Sequence, residues 1–172
     1  MVQISSTQNP DIEVLWSLYR KAAELPAGLI RRPSEITRDY LTEVASKCRR
    51  NGLQLLATKD NDLVGEIHAY TPDIYAFQHL LTDLSIVVSP DCQGQGIGKQ
   101  LFTTFLHIVK NEMLHIKRVE LFTRSHNVRN VRFYERLGFV NEGAQRDKIY
   151  VSEGCYETPL RMAWFADSSF RV

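Results

Sequence analysis

The stretch Ile86-Val87-Val88-Ser89-Pro90-Asp91-Cys92-Gln93-Gly94-Gln95-Gly96-Ile97-Gly98-Lys99 decides how this chain is read. An apolar run ends at Ser89-Pro90. A glycine-rich turn follows, and behind it Ile97, Leu101, Phe105 and Ile108 fall on one face of a helix expected over about 97–110. Glycines let a backbone come close to a ligand and turn its N–H groups inward. The helix behind them adds its own free N–H groups and the positive end of its dipole. A strand, a glycine loop and a helix in that order suit a phosphate. Two familiar phosphate patterns fail here. A P-loop needs Gly where Gln93 stands and Ser or Thr where Gln100 stands, and the dinucleotide fingerprint needs a third Gly where Lys99 stands.

Working outward, Leu80 to Val88 reads as the strand that feeds the loop. Upstream, Leu53–Thr58 and Leu63–Tyr70 read as a hairpin about Asp60-Asn61-Asp62. Two helices are predicted before it. The first is capped by Asn9 with Pro10 and Asp11 at its start, carries Ile12, Leu15, Trp16, Tyr19 and Ala23, and stops at Pro26 and Gly28. The second starts at Ser34, carries Ile36, Tyr40, Leu41, Val44 and Cys48, and stops at Asn51-Gly52. Downstream come a strand over Val119–Thr123 and a short helix with Val128, Val131, Tyr134 and Leu137, closed by Gly138. Two last strands, Phe139–Val151 and Tyr156–Phe165, turn at Ser152-Glu153-Gly154. Antiparallel strands at both ends with a βαβ unit between them give an α/β fold, a mixed sheet with helices on its faces.

Gln93-x-x-Gly96-x-Gly98, preceded by Val88-x-Pro90, resembles the pyrophosphate loop of the GCN5-related N-acetyltransferase (GNAT) superfamily. Arg124-Ser125-His126-Asn127-Val128-Arg129-Asn130-Val131-Arg132-Phe133-Tyr134-Glu135-Arg136-Leu137-Gly138-Phe139 resembles that family's Asn-x-x-Ala-x-x-Leu-Tyr-x-x-x-Gly-Phe segment, with Asn130 at the Ala position. The resemblance spans roughly residues 63–145 and implies a mostly antiparallel sheet, acetyl-CoA as acetyl donor, no metal, and transfer to an amine in a ternary complex. It implies that the main chain of Ile86 and Val88 holds the pantetheine arm, with the Val88 N–H on the developing oxyanion. It further implies that the N–H groups of Gln93, Gly94, Gln95, Gly96, Ile97, Gly98 and Lys99 hold the pyrophosphate. Asn127 then reaches the pantetheine amides or caps its helix, and Tyr134 is the acid toward the departing thiolate. The first 50 residues match only in element order, so they carry no acceptor with them.

The base is open at this stage. Asp83 precedes the loop on its strand, and Glu66 shares a strand face with His68 and Tyr70. A carboxylate needs burial or a relaying water to take a proton from an ammonium. That polar stripe reads as a solvated edge or as the wall of a cleft. His68 and His79 have better matched intrinsic pKa values but read as structural. Cys92 borders the loop without a basic partner and reads as a bystander.

Composition bounds the rest. The chain has 172 residues, 44% of them apolar, which fits one domain over 1–172 with a sizeable core. Its 21 basic and 20 acidic residues leave a net charge of +1, so bulk nucleic-acid binding is not expected. The basic runs Arg31-Arg32 and Lys47-Cys48-Arg49-Arg50 read as solvated faces. Cys48, Cys92 and Cys155 form no CxxC pair, the start has no signal-peptide pattern, and no apolar run approaches a membrane span. The expectation is a cytoplasmic enzyme acting on the primary amine of a small molecule, amino-acid-like or other, and the resemblance is compatible with a homodimer. The alternatives are a protein N-terminal or lysine acetyltransferase, and an acyl-CoA sensor or docking module without turnover.

Overall fold

A computed structural model describes residues 1–25 and 29–167. Seven strands form one sheet in the order β1-β2-β3-β4-β5-β9-β6. They are β1 (Val2–Ser6), β2 (Gly52–Lys59), β3 (Asp62–Tyr70), β4 (Leu80–Val88), β5 (Arg118–Arg124), β6 (Val140–Ala144) and β9 (Pro159–Phe165). Only β4 and β5 pair in parallel, and every other neighbour is antiparallel. A separate hairpin joins β7 (Ile149–Ser152) to β8 (Cys155–Glu157). The helices are α1 (Ile12–Ala23), α2 (Arg38–Asn51), α3 (Ile97–Asn111) and α4 (Val128–Arg136).

Strand alternation sorts the core into two layers. Leu55, Ala57, Ile67 and Ala69 face α3, whose Leu101, Phe102 and Phe105 are fully buried against them. Burial of such side chains contributes about 1.5–3 kcal/mol each, so α3 and the loop at its start are held firmly to the sheet. Leu56, Leu63 and Val87 face the other way and pack with Leu15, Leu18 and Tyr19 of α1 and with Leu41 of α2. Glu66, opposite Val87 in the ladder, lies on this second side.

The expected elements exist, with several boundaries moved. The cap of α1 is Asp11 rather than Asn9. Its carboxylate accepts from the Glu13 and Val14 amides at 2.9 and 3.2 Å, placing a full negative charge at the positive helix end. The predicted stop at Pro26 and Gly28 lies outside the described residues. At Pro33–Glu35 there is only a single 3-10 turn. Ile36 then leaves helical geometry to bury its side chain, and its carbonyl accepts from the Trp16 indole at 3.0 Å, so α2 begins afresh with Thr37 as cap. The long strand predicted over 139–151 is two, broken between Ala144 and Ile149 where Asp147 has positive φ. Strand β1 was not predicted; Val2 and Ile4 pack on the core from the sheet edge.

Candidate active site

The site begins with an irregularity in β4. Ser85 pairs with His68 and Thr82 with Tyr70, so Asp83 and Leu84 together face Ala69 alone. Asp83 takes a positive φ of 52° to accommodate the extra residue. Such a bulge bends and twists its strand, and β4 pairs with β5 only at Leu80 and Leu81 before the two diverge. Beyond that point one side of β4 has no ladder partner. The Ser89 amide donates to the Val64 carbonyl at 2.8 Å. Alternation along an antiparallel strand therefore turns the main-chain groups of Ile86 and Val88 away from β3, toward the gap.

The glycine loop closes the far end of that gap. Gly94 and Gly96 have φ of 77° and 81°, where an L side chain is strained, and a Cβ on either would stand in open space. Gly96 is the N-cap of α3 in left-handed geometry, without a side chain to cap with, so the first-turn amides at Ile97, Gly98 and Lys99 face outward uncapped. Gln93 ties the loop to β4 through its side-chain amide on the Val88 carbonyl at 3.5 Å. Gln95 reaches the Asp91 carbonyl at 3.3 Å and receives Lys59 Nζ at 3.1 Å. Gly98 differs from the other two, since a Cβ there would make only ordinary contacts with Val88 and Ile86. The open concavity over Gly94 and Gly96, with outward amides and Lys59 and Lys99 nearby, fits a diphosphate group.

At the other end the gap opens into a cavity of about 920 Å³. Ile86, Asp83, Asn127 and Tyr134 all line it. Asn127 caps α4, accepting from the Asn130 amide at 3.1 Å. Tyr134 packs edge-on against Phe102 at 5.5 Å, and burial pushes its phenol up to about 12. Glu66 does not line the cavity. It is fully buried, accepting from Tyr19 Oη at 2.6 Å and Gln54 Nε2 at 2.8 Å, with His68 Nδ1 at 3.0 Å. A carboxylate only accepts, so this pairing puts the proton on His68 Nδ1 and leaves the lone pair on Nε2. His68 and Tyr19 do line the cavity. Burial, then the adjacent Glu66 charge, raises the Tyr19 phenol well above its usual value. Burial, then the charge of Asp83, likewise raises the Tyr70 phenol. The polar stripe Glu66, His68, Tyr70 is therefore a cleft wall with its roots in the core, not a solvated edge.

The structure thus gathers Asp83, Ile86, Asn127 and Tyr134 around one cavity, sets Val88 and Gln93–Lys99 at the neighbouring cradle, and holds Glu66 one residue behind the wall. Three further groups on the cavity were not singled out. Lys148 had no motif to mark it, and Arg31 and Arg32, read as a solvated face, stand on the cavity rim. Cys92 is half-buried beside the loop and free. Among the described residues no cluster of His, Cys, Asp and Glu could hold a metal, and no helix is long and apolar enough to cross a membrane.

A profile described as the acetyltransferase (GNAT) family matches residues 13–139. This chain belongs to that family. The smu.2055 protein of Streptococcus mutans has a similar structure, with a TM-score of 0.78 at 23% identity over 96% of this chain and 99% of that one. The structure of yncA from Salmonella typhimurium, described as an acetyltransferase with its cofactor acetyl-CoA, has a TM-score of 0.83 at 16% identity, covering 98% of this chain and 95% of its own. At such identities the likeness is one of fold. A spermidine N(1)-acetyltransferase of Vibrio cholerae is 27% identical over 84 residues, so the matched segment spans about half of each chain, 49% of this one and 47% of the relative.

Proposed function

We propose that this chain transfers an acetyl group from acetyl-CoA to the primary amine of a small molecule, with both bound at once. The observation that carries this reading is the β4–β5 gap. It exposes the main chain of Ile86 and Val88 between a phosphate-sized cradle and an acceptor-sized cavity. Acetyl-CoA supplies a thioester whose carbonyl an amine can attack.

The chain's own groups divide the work. The loop amides from Gln93 to Lys99 hold the diphosphate, and the outward main-chain groups of Ile86 and Val88 align the pantetheine arm, with Asn127 beside them. The Val88 N–H donates to the charge that develops on the thioester oxygen. Asp83 draws the acceptor's ammonium into the cavity. His68 takes the amine proton on Nε2, and Glu66 steadies the imidazolium through Nδ1. Tyr134 donates to the departing sulfur. Full transfer from a phenol near 12 to a thiolate of pKa about 8.5 is uphill in water. In the same dry pocket a thiolate is desolvated too, and its basicity rises with it.

The test is thiol release from acetyl-CoA with a panel of amines, run beside calorimetry. Amine-dependent release is expected, together with loss of acetyl-CoA affinity in Gly96→Glu, which sets bulk and charge against the cradle. Binding without amine-dependent release would replace the transferase by a CoA-binding module. Undiminished affinity in a folded Gly96→Glu would overturn the loop assignment.

A further inference from the structure

We infer that the acceptor carries an oxyacid group beside its amine, a carboxylate, phosphinate or phosphonate, and that Arg31, Arg32 and Lys148 receive it. This rests on the acetyltransferase reading above and names the class of its second substrate.

The cavity is lined by Arg31, Arg32, Arg124 and Lys148 against only Glu35 and Asp83. Two of these six are already engaged. Arg124 pairs with Glu157, and Glu35 turns its carboxylate onto the Arg32 backbone amide at 2.7 Å. The three remaining cations have no carboxylate in ion-pair range among the described residues. The Arg31 guanidinium lies over the Tyr40 ring at 4.0 Å. Glu43, the acid that feels its charge, is held by Lys47 at 2.7 Å. Arg32 donates to the Val151 carbonyl at 3.3 Å, and this bond brings its loop to the β7–β8 hairpin. Lys148, at the foot of that hairpin, has Nζ 3.8 Å from the Phe122 ring centroid and bonds Gln145 at 2.7 Å. Aromatic faces and carbonyls orient these cations without neutralising them. A cluster held in place and short of counter-charge favours an anion that docks without reorganising it.

The cofactor's phosphates do not explain the cluster. None of Gln93–Lys99 lines the cavity. Val88 lies five residue steps along the strand from Asp83, roughly 16 Å of extended chain. A polyamine does not explain it either. Its second and third ammonium groups would meet these cations, and Asp83 is the one cavity carboxylate left for an amine. An amine that also bears an acid satisfies both ends, the ammonium at Asp83 and the oxyacid at the rim.

The experiment measures kcat/KM for L-α-amino acids, their carboxamides, the matching 1-aminophosphonic acids and spermidine. The wild type is set beside Arg31→Gln, Lys148→Gln and the double variant, with acetyl-CoA affinity measured for each. Acids should exceed their amides by about tenfold or more. In the double variant that ratio should fall toward one, with acetyl-CoA affinity kept within about twofold. Preference for phosphonate over carboxylate, or the reverse, supports the inference and fixes the oxyacid. Spermidine or the amides matching the acids in the wild type, or an unchanged ratio in the variants, overturns it. Acetyl-CoA binding with no amine-dependent thiol release from any acceptor refutes the transferase reading, and this inference falls with it.

Discussion

At the scale of single residues, the proposed mechanism gives Tyr134 and His68 opposite ends of one proton path, and the two roles can be separated. Tyr134→Phe removes a donor without opening the aromatic cluster around it. It should lower kcat by about 10²-fold and leave acetyl-CoA affinity nearly unchanged. Because burial holds the phenol protonated up to about 12, the wild-type rate should show no loss from Tyr134 ionisation through pH 10. His68→Gln should lower kcat at neutral pH and recover as pH rises and the amine deprotonates in bulk water. A purely structural histidine would show no such recovery, and single-turnover kinetics across pH decides the matter. The place of Tyr134 on the cavity was legible because helix and motif agreed on it. His68 was visible but looked ordinary, since its meaning depends on Glu66, Tyr19 and Gln54 meeting at one point, and Tyr19 comes from a helix distant in sequence.

At the scale of elements, the site depends on how strands and helices join. Helix α2 passes into β2 at Gly52 with no loop between them. A Cβ there would stand 2.5 Å from the Ala69 carbonyl oxygen and 2.9 Å from the Cys48 and Tyr70 Cα atoms, all of them backbone. Gly52→Ala should therefore destabilise the fold by about 1–3 kcal/mol, read as a lower denaturant midpoint; an unchanged midpoint would contradict this packing. Periodicity and turn residues made β4 and α3 readable almost to the residue. The bulge at Asp83 was not readable, because it is set by register against β3 and leaves the composition of β4 unchanged. Nor was the start of α2, where burial of Ile36 overrode local helix signals. The turn between β7 and β8 was readable at Ser152-Glu153-Gly154, but the break between β6 and β7, which sets Lys148 at the cavity, was not.

For the whole molecule, buried neutral acids link stability to alkaline pH. Burial moves Cys48 from 9.0 to about 12 and Tyr134 from 10.0 to about 12, and Tyr19 is raised as well. In each case the folded pKa exceeds the unfolded one. Their contribution is thus complete below pH 9 and is lost as pH climbs toward 12, by up to about 1.4 kcal/mol per pH unit for each proton released. Urea midpoints should hold level from neutral pH to about 9 and then fall; a midpoint constant to pH 11 would contradict the burial of these groups. The near balance of charge, 21 basic against 20 acidic residues, described the molecule well and its cavity poorly. Arg31, Arg32 and Lys148 gather there from distant parts of the chain, and no sum over a sequence records that. The most direct test of the central claim is an amide NMR titration with acetyl-CoA. The account predicts that the Gly94–Lys99 amides move downfield together and gain coupling to phosphorus. Large shifts elsewhere with these amides unmoved would contradict it.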